Sequence, residues 1–147
     1  MDETAQKQFT LGFTGSKKVV TEKQRLVVAK MIARFKPMLG VHGDCIVGDE
    51  MFHIECIAAG ITPKGRPCNL HEFRARCVFA PGMCAPIEDP LVRNRKIVDD
   101  SDAMLACPDG PERMRSGTWM TVRYALKQGK HTFMFLPDGC VKENNDT

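Results

Sequence analysis

A chain of 147 residues with 43% hydrophobic and 27% charged residues has the make-up of one soluble globular domain, large enough to bury a core without staples. A net charge of +3 permits a phosphate-bearing ligand but supplies no dense basic stripe, so nucleic acid is not the expected partner. No apolar run approaches the ~20 residues that span a bilayer, and the opening MDETAQKQF is too polar for a secretory signal. An odd count of seven cysteines then reads as thiols in a reducing, cytoplasmic compartment.

The first element in chain order is a β-prone run at Thr10–Phe13, closed by the turn Thr14-Gly15-Ser16. Thr21 opens a helix, with Gln24 three residues on as a capping box, and Leu26, Val27, Met31, Ile32 and Phe35 carry its 3.6-residue period until Pro37. Met38–His42 is a second short strand. A second helix spans about Asp49 to Ala59, with Met51, Phe52, Ile54 and Ile57 as its apolar contacts and Gly60 as its stop.

Ile61–Pro63 is a brief third strand. From Lys64 to Pro90 the pattern weakens among prolines, leaving mostly loop with a short helix near Glu72–Val78. Asp89-Pro90 reads as an N-cap and first helical position for a helix ending near Ser101. Ala103–Cys107 is a buried strand, Gly117–Gln128 a helix stopped by Gly129, and Thr132–Leu136 a last apolar strand. Residues 1–147 form one domain, with 1–8 and 140–147 expected to fray as tails.

Strands alternating with helices imply right-handed crossovers and a mostly parallel sheet covered on both faces. Ligands of such sheets bind outside the carboxyl ends of the strands. The turns there read TGSKK (Thr14–Lys18), HGDCIVGDE (His42–Glu50) and PDGPERMRSGTW (Pro108–Trp119), rich in Gly, hydroxyl and acidic residues, whereas the opposite turns FKP and QGK are plain. In RSGTW, Ser116 can cap the helix, Gly117 lets a ligand approach the backbone and Thr118 offers a hydroxyl. A helix start also presents unpaired N–H groups to an anion.

These motifs resemble the SLOG superfamily, the Rossmann-like group that includes the DNA-processing protein DprA and the LOG cytokinin-activating phosphoribohydrolases. The likeness rests on Thr14-Gly15-Ser16, His42-Gly43-Asp44-Cys45 with Gly48-Asp49, Arg93-Asn94-Arg95 through Asp102, and Arg115 to Ala125, and runs from about Phe9 to Gly139. It implies a doubly wound sheet of five strands in the order 3-2-1-4-5, and a nucleotide or nucleotide-derived ligand. LOG enzymes use an Arg and a Glu as catalytic pair. Arg95-Lys96 match the Arg-Lys of that pattern, but the Glu positions fall on Met120 and Thr121, which cannot act as acid or base.

The expected ligand-binding set is therefore Thr14, Gly15, Ser16, Gly43, Asp44, Asp49, Arg95, Arg115, Ser116, Gly117, Thr118 and Trp119. Asp44 and Asp49 are candidates for ribose hydroxyls, for catalysis if the protein is an enzyme, or for capping the second helix, with Asp49 the better cap. Arg93 and Arg95 lie two apart and do not share a helix face, and the resemblance selects Arg95 for the cleft. Trp119 is placed either to flank the ligand or to wedge its loop into shape. His42 reads as a structural histidine. Cys68, His71, Cys77 and Cys84 contain no CxxC pair, so neither a metal nor a cofactor is expected. The expected partners are a nucleotide-like small molecule and, as assembly, a homodimer or higher homo-oligomer. Three functions remain in view: a non-catalytic nucleotide binder, a phosphoribohydrolase or related N-glycosidase using Asp44 or Asp49, and a DprA-like single-strand binder, which lacks the necessary aromatic and basic stripe.

Overall fold

The structure is a computed structural model that describes residues 8–144. Helix α1 (Glu22–Phe35) shows why the first βαβ unit forms where it does. The Thr21 side chain accepts from the Gln24 N–H, and the Gln24 side chain accepts from the Thr21 N–H at 2.9 Å, a complete capping box. The Gln24 amide does a second job, donating to the Pro108 and Phe135 carbonyls at 2.8 and 2.7 Å. One buried side chain therefore ties the start of α1 to the ends of two strands of the sheet it packs on.

The strands are β1 (Thr10–Gly15), β2 (Leu39–His42), β3 (Thr62–Gly65), β4 (Ala103–Cys107), β5 (His131–Phe135) and β6 (Val141–Asn144). Helices α2 (Gly48–Ala58), α3 (Pro90–Asp100) and α4 (Gly117–Lys127) complete the regular elements. The sheet order is β3-β2-β1-β4-β5-β6, parallel through β5 and antiparallel at β5–β6. The 3-2-1-4-5 core thus has the expected order, and a sixth strand is added to it. That strand lies in the segment expected to fray. Its backbone pairs Phe135 with Val141 and Phe133 with Glu143, which costs the tail its freedom but satisfies the outer edge of β5. The rest of both expected tails, residues 1–7 and 145–147, falls outside the described residues.

Alternation along the central strands separates two cores. Leu105 and Cys107 of β4, Phe133 and Phe135 of β5, and Leu11 and Phe13 of β1 pack with Val28, Ile32 and Phe52 from α1 and α2. Met104 and Ala106 face the other way, against Ile97, Val98, Trp119, Val122 and Ala125 of α3 and α4. Helices cover both faces, as in doubly wound folds.

Three expectations change in detail. Ile54 and Ile57 are each 57% exposed, because the buried stripe of α2 runs through Asp49, Phe52, His53 and Cys56 at helical spacing and leaves both isoleucines outside it. The segment from Arg66 to Asp89 contains one 3-10 turn, His71–Phe73, in place of a helix at 72–78, and β3 starts one residue later and extends to Gly65. This segment lies as a strap over the β2–β3 end of the sheet, held there by the isolated bridges Cys45–Arg74 and Gly65–Cys84 and closed on itself by Cys68–Glu88. All seven cysteines are free thiols, and among the described residues no helix is long and apolar enough to cross a membrane.

Gln24→Leu keeps the volume and removes the donors for two buried carbonyls. It is expected to lower stability by about 1–3 kcal/mol, measured by urea unfolding, with the fold retained by circular dichroism.

Candidate functional site

A cleft of about 370 Å³ opens at the carboxyl ends of β1, β2 and β4, where the strand order turns outward in both directions. Its lining brings together Thr14, Gly15 and Ser16 from the β1 turn, Gly43 and Asp49 from the β2–α2 junction, and Arg115, Ser116, Gly117 and Thr118 at the start of α4. Nine of the twelve residues expected in the ligand site therefore meet in one place. Arg95, Asp44 and Trp119 do not line it.

The opening of α4 is built from its own sequence. Ser116 is the N-cap, in extended backbone, and its hydroxyl accepts from the Trp119 N–H at 3.2 Å. The N–H groups of Gly117 and Thr118 have no partner among the described residues. A Cβ on Gly117 would meet nothing within 4 Å, so that position faces open space in the cleft. Thr118 is 7% exposed, lines the cleft, and its hydroxyl has no bonding partner among the described residues.

The β1 turn behaves differently. The Ser16 hydroxyl oxygen accepts from the Lys18 and Val19 N–H groups at 2.9 and 3.2 Å, and the Ser16 N–H donates to Cys107 O. These three backbone donors are consumed, two within the turn and one on β4, so TGS is not the free amide cradle its sequence suggests. What it offers the cleft is the Ser16 hydroxyl proton and the ammonium groups of Lys17 and Lys18.

Arg93 replaces Arg95 as the cleft arginine. It is 6% exposed, and its guanidinium donates to Gly43 O at 2.6 Å, Arg66 O at 3.1 Å and Asn94 Oδ1 at 2.7 Å, with Cys45 Sγ at 3.7 Å. Arg95 instead sits outside, 5.6 Å from the centroid of the Tyr124 ring. The two arginines do lie on different faces. The signal that separates them is local: Arg93 is four residues before the buried Ile97 and shares its stripe. Gly43 has to be glycine here, because a Cβ would run into the Arg93 guanidinium and come within 3.0 Å of Asp49 Oδ2.

Asp49 is not the cap of α2, whose N-cap is Val47 with no side-chain bond. Its Oδ2 accepts from the Gly43 and Cys45 N–H groups, both at 3.1 Å, which folds the β2 turn back on the helix. Its Oδ1 has no hydrogen-bond partner among the described residues. Burial pushes the Asp49 carboxyl up to about 6, against the opposing effect of Arg93 and the two N–H groups. Asp44 is fully buried with φ of 55°, and its carboxylate accepts from Arg74 Nε and the Cys77 N–H, both at 2.9 Å. It is a latch for the strap and is withdrawn from the cleft. Trp119 is likewise buried, packed with Ala106, Val122 and Met134, and its indole donates to Gly110 O at 3.2 Å. Of its two expected roles, the wedge behind the loop is the one the geometry provides.

His42 is fully buried, as expected of a structural histidine, but it has a partner that sequence reasoning missed. The Asp44 N–H donates to His42 Nδ1 at 2.9 Å, so the ring proton sits on Nε2 and points to His53 Nδ1 at 3.0 Å. His53 in turn hydrogen-bonds the Val78 backbone. His42, His53 and Cys77 bring potential ligand atoms within 4.8 Å of one another, whereas Cys68, His71 and Cys84 join no such group among the described residues. The hydrogen-bond chain already occupies both facing ring nitrogens, and metal on His42 Nε2 would have to displace its proton. The pairing at i, i+11 across a strand and a helix leaves no sequence signature.

No protein-family model matches the chain, and no curated protein matches it by sequence. Among solved structures it is similar to the molybdenum cofactor binding protein of the phototrophic bacterium Rippkaea orientalis, with 20% identity and a TM-score of 0.68 over 90% of this chain and 78% of that one. It is also similar to the structural-genomics target TM1055, with 17% identity and a TM-score of 0.57 over 85% and 72% of the two chains. At these identities the likeness is one of fold. The fold and the cleft define an α/β protein of the Rossmann-like, doubly wound class.

The buried imidazoles and Asp49 act in opposite senses on acid stability. Burial, followed by the neighbouring His53, pushes His42 down to about 3, and burial lowers His53 as well. Each binds its proton less readily folded than unfolded, so stability is full above about 6.5 and is lost as pH falls toward 3. Asp49, raised from 3.8 to about 6, holds a proton in the folded state that the unfolded chain has released, so its contribution falls as pH rises through that window. Between pH 4 and 6 stability is expected to rise with pH, and Asp49→Asn, which removes the opposing group, is expected to steepen that rise by up to about 1.4 kcal/mol per pH unit in urea melts.

Proposed function

We propose that the protein binds a nucleotide, or a phosphate ligand derived from one, at the carboxyl edge of the sheet and holds it without turning it over, as a sensor or sequestering protein. The observation that carries this reading is the opening of α4. Two unbonded N–H groups, the unpartnered Thr118 hydroxyl and Arg115 converge on open space at the positive end of a helix. That arrangement suits a phosphate oxyanion. On the other side of the cleft, the free Asp49 Oδ1 and the Asn94 amide suit the hydroxyls of a ribose, and Leu70, Leu91 and Met120 form an apolar rim for a base. The named Rippkaea orientalis neighbour, a cofactor binding protein, supports small-molecule binding by this fold.

The case against catalysis rests on Met120, whose side chain lines the cleft where the resembling hydrolases need a carboxylate. A thioether neither donates nor accepts a proton in the required step. Asp44 is tied to Arg74 and Cys77 and is not available as a substitute. One observation favours the N-glycosidase alternative: Asp49 faces the cleft with a free oxygen and titrates near 6, within the range of a general acid or base.

Mass spectrometry of the small molecule that co-purifies with the native protein tests the binding reading directly. Gly117→Val fills the open space at the start of α4 and is expected to abolish nucleotide binding in calorimetry with the protein still folded, whereas Met120→Ala affects binding much less. Free base released from nucleoside monophosphates, at a rate that Asp49→Asn removes, would overturn the non-catalytic reading. Unchanged nucleotide after prolonged incubation together with saturable binding supports it.

A further inference from the structure

We propose, resting on the nucleotide reading above, that the preferred ligand carries at least two phosphates in a row, the first at the opening of α4 and the second between Lys17 and Lys18 of the β1 turn. The argument starts from charge. Lys17, Lys18, Arg113 and Arg115 line the end of the cleft formed by the β1 and β4 turns, and Asp109 is the carboxylate among them. Asp109 is engaged by Arg113, at 2.8 Å, which holds its carboxyl below the usual range, with Lys18 a further nearby cation. Four cations against one carboxylate leave three positive charges at this end. At the β2 end of the cleft, Arg93 is balanced by Asp49 once that carboxyl is ionised. A single phosphate group brings about 1.5 to 2 negative charges at neutral pH, which leaves at least one of these exposed cations available to a second anionic group.

The donors are also divided into two places. One phosphate is accounted for by the Gly117 and Thr118 N–H groups and by the hydroxyl of Thr118, a residue only 7% exposed whose hydroxyl opens on the cleft without a partner among the described residues. The β1 turn, on the neighbouring strand, has spent the Lys18 and Val19 N–H groups on Ser16 Oγ and the Ser16 N–H on Cys107 O, so an anion there is met chiefly by the ammonium groups and the Ser16 hydroxyl proton. Lys17 is placed toward the strap, with its ammonium 4.9 Å from the centroid of Phe73. Adjacent strands stand about 4.8 Å apart, a separation spanned by two linked phosphoryl groups.

The test compares each nucleoside monophosphate with its diphosphate for the four common bases, and inorganic phosphate with pyrophosphate, by calorimetric titration of the full chain at one fixed ionic strength. The expected result is a diphosphate bound about tenfold or more tightly than the matching monophosphate, with pyrophosphate preferred to phosphate. In Lys17→Ala/Lys18→Ala that ratio is expected to collapse to within about threefold, whereas Lys30→Ala, an exposed cation on the far side of α1, keeps it. Monophosphates bound as tightly as diphosphates, or a ratio untouched by the double substitution, would overturn the two-phosphate inference and leave the nucleotide reading standing. Failure of every nucleotide and both inorganic anions to bind would overturn the nucleotide reading itself.

Discussion

The guanidinium of Arg93 is the interaction on which the cleft depends. It lies almost wholly out of water and spends its donors on two backbone carbonyls, Gly43 O and Arg66 O, and on Asn94 Oδ1. Those groups belong to the β2 turn, the residue after β3, and α3, so one side chain joins the β2–β3 end of the sheet to α3 at the floor of the cleft. A buried guanidinium is tolerated only when it is hydrogen-bonded and faced by negative charge. Asp49 provides that charge, and it can approach because Gly43 has no Cβ. The motif HGDC and the motif RNR, fifty residues apart, are thus two halves of one electrostatic unit.

Around this unit the remaining polar residues divide by what they have left to give. Asp44 has nothing: both carboxylate oxygens are taken by the strap, and even its N–H is fixed on His42. The Ser16 oxygen has accepted two N–H groups and retains a proton. Thr118, Gly117 and Asp49 Oδ1 keep unspent hydrogen-bonding capacity, and all of them border the same open space. Capacity left unspent at the mouth of a cleft is met by water in the free protein and by the polar groups of a ligand in the bound one. That contrast between spent and unspent donors, more than any list of polar residues, locates the binding surface.

The strap from Arg66 to Asp89 gives the cleft its third wall without regular structure. Its prolines prevent a ladder or a long helix, and its attachment comes from Asp44, the bridges at Cys45 and Gly65, and Phe79 packed against His42 and His53. Through these contacts the wall carrying Leu70 and Phe73 is coupled to the buried histidine pair. Asp44, a catalytic candidate in the sequence, serves here with His42 and His53 to hold a loop against a sheet.

The sequence by itself determined the order and kind of the main elements and the edge of the sheet at which function lies. Capping residues, helical periods and turn residues act over three to eight positions, so Thr21–Gln24, Asp89-Pro90 and Ser116 mark their helices without reference to anything distant. The five-strand core order came from the resemblance, and the gathering of TGS, RSGT and the β2–α2 junction at one cleft followed from parallel crossovers. Tertiary structure alone decided which of two arginines turned inward, which aspartate kept a free oxygen, whether Trp119 met a ligand or a loop, and that the C-terminal residues found a strand edge to pair with. Each of those outcomes is a choice of partner among groups brought close by folding. The deciding energy, desolvation balanced against a specific hydrogen bond, exists only once both partners are buried together.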